Sequence, residues 1–165
     1  MFELGGTRAI AEMLDDVVPK TCDAVWNILP VEGMSIHANW ASREIMLHLQ
    51  GDKILRLPAE GRARRGTTAP GDIVYFWRSP RMSRGKQLAY SSQFQKELSE
   101  FAIFYGDPAG GGLAAEDPPR TGRDSNLQVS TLFARFIDAP PEFLRKCEEI
   151  RHKGLQKLVA KRFEG

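Results

Sequence analysis

Apolar and polar residues change period several times along the chain, and each change marks an element. From Thr7 to Leu14, Ala9, Ala11 and Met13 alternate with Arg8, Ile10 and Glu12, which predicts a strand. Asp15-Asp16 breaks the alternation, and Cys22, Val25, Trp26 and Leu29 then recur at helical spacing as one apolar stripe. A helix from Pro19 to Leu29 follows, because Pro19 suits a first turn, Asp16 or a neighbour can cap it, and Pro30 stops it. Beyond Pro30 the period falls to two. Met34, Ile36, Ala38 and Trp40 alternate with Ser35, His37 and Asn39, giving a strand with one apolar and one polar face. After the short link Ala41-Ser42-Arg43, Ile45, Leu47 and Leu49 alternate with Met46, His48 and Gln50, so the two strands form a hairpin.

The second half is less regular. Ile54 to Leu57 reads as a short strand, and Ile73 to Trp77 is the most β-prone run, launched by the turn Ala69-Pro70-Gly71-Asp72. Gln93 to Glu100 suits a short helix or the approach to a strand, and Glu100 to Tyr105 reads as a core strand. Leu127 to Ile137 is a further strand, with Leu127, Val129, Thr131, Phe133 and, by the same period, Arg135 on one face. Between these runs lie two basic loops, residues 58–70 and 78–86, and a long loop, residues 109–126, with Gly110 to Gly112 and Pro118-Pro119. Asp138-Ala139-Pro140-Pro141 opens a final helix whose stripe is Phe143/Leu144, Cys147, Ile150, Leu155, Leu158 and Val159. Gly154 weakens that helix by about 1 kcal/mol relative to alanine. It packs on the domain or pairs with another copy.

Composition narrows the function classes. A chain of 165 residues with 42% hydrophobic and 27% charged residues suits one core, and a net charge of +2 gives no field for steering nucleic acid, so no nucleic-acid partner is expected. The first residues include acids and no long apolar run. Neither a secretory signal nor a membrane span is expected, and a cytoplasmic location is. Cys22 and Cys147 are far apart, which argues against a disulfide framework, and His37, His48 and His152 have no ligand-spaced neighbours, so neither metal nor cofactor is expected.

The run from Arg8 to Leu29, a strand, an acidic turn, Val17-Val18-Pro19-Lys20-Thr21 and a helix, resembles the opening of cyclophilins. Leu29 to Gly33, Ile36 to Trp40, Pro70 to Ile73, Glu100 and Tyr105-Gly106 are more specifically similar to a family of uncharacterised bacterial proteins of cyclophilin-like fold, the DUF3830 family. The resemblance covers most of residues 7–137. It implies a mainly β fold, a closed cyclophilin-like β-barrel of about eight strands over residues 1–138 with a helix covering one opening; the long C-terminal helix over residues 139–165, read from its own stripe, looks like an addition to the family's shorter pattern. Departures limit what it implies about activity. The Phe-His-Arg and Gln-Gly-Gly-Asp motifs of the prolyl isomerases are missing, which removes their transition-state arginine. Ser125-Asn126-Leu127-Gln128 stands where the family tends to have Gly-Asn-His-Phe.

Four residues are candidates for a ligand site at the barrel rim. His37 shares its strand face with Ser35 and Asn39 and exchanges protons near neutral pH, and the resemblance places a histidine there; a solvated strand histidine is the plainer reading. Trp40, with Trp77, offers an aromatic wall, or packs in the core. Glu100 and Tyr105 bracket a β-prone run as rim polar groups, or are simply solvated. Cys22 lies on an apolar stripe and reads as an inert buried thiol, and the arginines of the basic loops read as solvated. The function that follows is small-molecule binding with the reaction and any catalytic residue open. The alternatives are a peptidyl-prolyl isomerase or peptide-binding module, and a homo-oligomer assembled through the last helix.

Overall fold

Gly5 and Gly6, with φ of 55° and 80°, take the left-handed conformations that a two-residue hairpin turn needs. They join β1 (Phe2–Leu4) to β2 (Thr7–Met13), with Leu4 opposite Thr7. In this computed structural model, residues 1–38, 43–60, 69–78, 97–106 and 130–163 are described, with Arg78 described for its backbone alone. The first hairpin adds a strand that the alternation left unread. Two apolar runs flanking Gly-Gly were the signal for it.

The remaining strands are β3 (Val31–His37), β4 (Glu44–His48), β5 (Asp72–Arg78), β6 (Leu98–Phe104), β7 (Ser130–Asp138) and β8 (Gln156–Ala160), with α1 (Pro19–Ile28) and α2 (Pro141–Lys153) as the helices. All pairings are antiparallel, and the order β1-β2-β7-β5-β6-β4-β3-β8 closes on itself through β8 and β1. The fold is therefore a mainly β, closed eight-stranded barrel with, among the described residues, two α-helices. Closure leaves no sheet edge along the ring, which is why these short strands need no edge-protecting charges.

The C-terminal element corrects the sequence reading. Gly154, at φ 87°, ends α2 with its N–H on the Ile150 carbonyl at 3.1 Å. The chain then returns as β8 between β1 and β3, so the expected long helix over residues 139–165 is a helix followed by the strand that completes the barrel. Leu158 and Val159 fit either period, and pairing with β1 and β3 decides between them. The stripe Phe143, Leu144, Cys147 and Ile150 is buried against this chain's own barrel.

The hairpin of β3 and β4 is as expected, but the faces of β3 are reversed. Val31 and Ser35 point inward, where Ser35 Oγ donates to the Met46 carbonyl at 3.1 Å, while Met34 is 53% exposed. Interior space is the cause: a Cβ on Gly33 would stand 3.1 Å from Leu47 Cδ1, so small residues face in. The apolar row of β3 joins an outer cluster of Ala38, Met46, Val74 and Ala102. In β7 the alternation also shifts. Phe133 is an extra residue against β5, so Ala134 and Phe136 enter the core and Arg135 turns outward onto Asp72 at 2.8 Å.

Antiparallel connectivity gives the barrel two distinct ends. The first holds α1, which joins the end of β2 to the start of β3; the second holds α2, which joins the end of β7 to the start of β8. At the first end, residues 54–60 form no strand. This strap is held by inward side chains instead: Ser99 Oγ accepts from Leu55 N at 3.2 Å, and the Tyr75 hydroxyl donates to the Leu55 carbonyl at 2.8 Å and accepts from Leu57 N at 3.1 Å. Thr131 Oγ1 accepts from Glu60 N at 2.9 Å.

The strap and Lys53 just before it also cap α1 at its two ends. The Glu60 carboxylate accepts from Lys20 N, Thr21 N and Thr21 Oγ1, and Lys53 Nζ donates to the Ile28 carbonyl at 2.7 Å. Val18 occupies the N-cap position without a side-chain bond, so Glu60 takes the part expected of Asp16 or its neighbour.

Candidate functional site

At the second end of the barrel, polar side chains bond mainly to one another. His37 continues the inward phase of Val31 and Ser35 and, as the last residue of β3, reaches the mouth. Tyr105 follows β6 on the inward phase of Phe101 and Ile103, is fully buried, and is fixed by its N–H on the Arg43 carbonyl at 3.1 Å. The two rings meet edge to face, with His37 Nε2 2.8 Å from the Tyr105 hydroxyl. Glu148, on α2, accepts the Tyr105 hydroxyl proton. Arg151, one turn further on, lies 3.4 Å from both Glu148 Oε1 and His37 Nε2.

Hydrogen-bond bookkeeping fixes the histidine tautomer. His37 Nδ1 stands 2.9 Å from the Ala38 carbonyl, which can only accept, so Nδ1 carries a proton. A neutral ring then presents a lone pair at Nε2, toward Tyr105 and Arg151. Burial, opposed by the Ala38 bond and assisted by Arg151, holds the His37 pKa below its ordinary value and so favours this neutral form. Burial first, and then the hydrogen bond to Glu148, push the Tyr105 phenol well above its ordinary value. The phenol has a single proton to share between imidazole and carboxylate; while Glu148 takes it, the Nε2 lone pair is met by an Arg151 N–H 3.4 Å away.

Of the sequence candidates, the structure brings His37 and Tyr105 together and sets Glu100 apart. Glu100 belongs to the outward row of β6 with Ala102, opposite His48 of β4 and Phe76 of β5. At about 3.4 Å per strand residue it lies roughly 17 Å along the chain from Tyr105. Its Oε2 is 3.1 Å from His48 Nε2 but makes no hydrogen bond among the described residues, and the residue is only 7% exposed. Trp40, the basic residues 62–65 and the glycines 110–112 lie outside the described residues. Trp77 Nε1 donates to Glu97 at 3.1 Å, away from His37.

Sequence reasoning missed Glu148 and Arg151, which fall outside the apolar stripe of the last helix. Their spacing as an acid and a base one turn apart was the available signal, though it fits any solvated helix pair. Cys22 is buried, with its thiol 3.5 Å from the Phe133 carbonyl, and burial together with Asp15 pushes its pKa up to about 11. That agrees with an inert thiol. Among the described residues, no three His, Cys, Asp or Glu side chains are grouped to hold a metal ion, and no helix is long and apolar enough to cross a membrane.

Two comparisons with known proteins bear on the chain. A family described as a protein of unknown function (DUF3830) matches residues 2–159, from β1 into β8 and thus across the whole barrel. A comparison with curated proteins finds no match.

Proposed function

This chain belongs to the DUF3830 family, and we propose that it is a small-molecule-binding protein whose ligand hydrogen-bonds where His37, Tyr105, Glu148 and Arg151 meet. The observation that carries this reading is the orientation of the His37 ring, tied by Nδ1 to the Ala38 carbonyl so that Nε2 faces Tyr105 and Arg151. Closing a barrel end needs only apolar side chains, whereas this arrangement desolvates an imidazole, a phenol and a carboxylate together. The Arg151 side chain remains 39% exposed and can turn its guanidinium onto a ligand carboxylate or phosphate without leaving α2.

A cyclophilin-like designation for the barrel is part of the same reading. It is supported by the acidic turn before α1, by Pro19-Lys20-Thr21 at its start, and by the closed barrel whose opening α1 covers. Prolyl isomerisation is not, because the arginine motif is missing from the chain.

Mass spectrometry of the compounds released when the purified protein is denatured tests the site. The expected result is an anionic or strongly polar compound that accompanies wild type and is lost from His37→Ala and Tyr105→Phe, while both variants melt within a few degrees of wild type. Equal occupancy in all three proteins would remove the site from this end of the barrel.

A further inference from the structure

Donors and acceptors do not balance at the α2 end of the barrel. The Nδ1 proton of His37 is held by the Ala38 carbonyl at 2.9 Å, and the one proton of the Tyr105 hydroxyl goes to Glu148. Nε2 therefore faces the Tyr105 oxygen at 2.8 Å without receiving a proton from it. The N–H that reaches Nε2 comes from Arg151 Nη2 at 3.4 Å, longer than the usual range of about 2.7–3.2 Å. Nε2 is thus an acceptor without a close donor among the described residues, and its contact with Arg151 is exposed to solvent.

Charge selects no ligand here, because the ionic groups of α2 beside the site already face one another. Glu148 Oε1 lies 3.4 Å from Arg151 Nη1 and 3.6 Å from His152 Nε2, and Glu149 Oε2 lies 3.2 Å from both Lys146 Nζ and Lys153 Nζ. Hydrogen-bond polarity does select. His37 Nε2 accepts, Arg151 Nη2 donates, and the two stand 3.4 Å apart. A guest that bonds to both at full strength needs a donor and an acceptor side by side, pointing the same way. A carboxylate has acceptors alone and leaves Nε2 without a donor, whereas an ammonium has donors alone and leaves the guanidinium without an acceptor. A hydroxyl meets both only through a single atom. A trans peptide bond points its N–H and C=O in opposite directions, but a primary carboxamide or a lactam carries the two on one edge.

Taking this end of the barrel as the ligand site, we propose that its ligand presents such a cis amide edge, with the N–H donating to His37 Nε2 and the carbonyl accepting from Arg151. Arg151 then gives up its long bond to the ring for a shorter one to the guest, and the imidazole gains the donor that Tyr105 withholds from it.

Titration of the full chain with 2-piperidone, N-methyl-2-piperidone and butyrate, followed by two-dimensional nuclear magnetic resonance, tests it. 2-Piperidone is expected to shift the His37 ring protons and the Arg151 Nε–H, and to bind at least about tenfold more tightly than either of the others, since the methylated lactam has no donor and butyrate has only acceptors. His37→Ala and Arg151→Ala should each weaken it about fivefold or more. Should either variant fold poorly, the ranking of the three compounds on wild type stands by itself. Equal or tighter binding of the methylated lactam or of butyrate, with shifts at His37, would overturn the amide edge and leave the site in place. Absence of shifts at His37 and Arg151 with all three compounds, or shifts confined to the α1 end, would overturn it as well, and the compounds released from the purified protein then decide separately whether this end is a site at all.

Discussion

Tyr75 and Tyr105 point inward from neighbouring strands of one barrel, and both are fully buried, yet their hydroxyls do different work. Tyr75, at the α1 end, donates to the Leu55 carbonyl and accepts from Leu57 N, so both partners are backbone groups of the strap. Tyr105, at the α2 end, bonds to His37 and Glu148, side chains from two other elements. The first is a strut. Backbone groups of the strap have no other ladder to join, and the fold depends on their being satisfied. The second joins titratable groups to one another, and none of them is needed to complete a strand or cap a helix. A buried polar group is therefore better judged by what its partners would lose without it than by its burial.

The largest effect is expected from Tyr75→Phe. It strands the Leu55 carbonyl and the Leu57 N–H, at a cost of about 1–3 kcal/mol. Tyr105→Phe should cost less than about 1 kcal/mol, because Glu148 keeps Arg151 and its side chain is a quarter exposed. Urea unfolding of the two variants side by side makes the measurement, and equal losses would erase the distinction between the ends. Next comes Glu60→Ala, which uncaps α1 and should cost about 1 kcal/mol. Burial opposes ionisation of Glu60, but the bonds from Thr21 and Lys20 prevail and hold its pKa below the ordinary carboxyl value. Its contribution is thus complete above that ordinary value and is lost as pH falls through the folded one. Melting curves of wild type and Glu60→Gln should differ at pH 7 and converge in acid; a constant gap would mean that the carboxylate charge is irrelevant to the cap.

How much of this was legible in the sequence follows from the range of each interaction. Period and punctuation lie within a few residues, so α1, the β3–β4 hairpin and the runs of β5 and β6 could be read directly. β8 could not, because Leu155, Leu158 and Val159 satisfy a helical stripe that continues past Gly154, and only β1 and β3 show that the segment is a strand. The faces of β3 were misread for a related reason. An apolar row usually faces inward, but this barrel buries a second, smaller apolar cluster against the outer face of its wall, at Met46, Val74 and Ala102. Of the candidate site, His37 and Tyr105 were legible as polar residues at strand ends. Glu148 and Arg151 were not, since their meaning comes from α2 lying over a strand more than a hundred residues earlier. Glu60 was hidden likewise, 39 residues from the helix end that it caps.

The smallest expected effect is also the most specific to the α2 end. Burial holds the folded His37 pKa below its ordinary value, with Arg151 acting in the same direction. The unfolded chain, with the ordinary value near ~6.5, therefore takes up a proton before the folded chain does. Above that pH the ring is neutral in both states and contributes nothing to the pH dependence. As pH falls below it, the unfolded state gains protons first and stability declines, and the decline levels off once the folded ring is protonated too. His37→Gln removes this window, so wild type should lose stability relative to the variant as pH falls below the ordinary value near ~6.5, by less than about 1 kcal/mol for a ring that is only partly buried. Carbon-bound ring proton shifts of His37 give the midpoint directly. A midpoint above the ordinary histidine value would mean that Glu148, not burial, governs the ring, and that the imidazole at this end is a charged structural partner and not the neutral acceptor on which the proposed site rests.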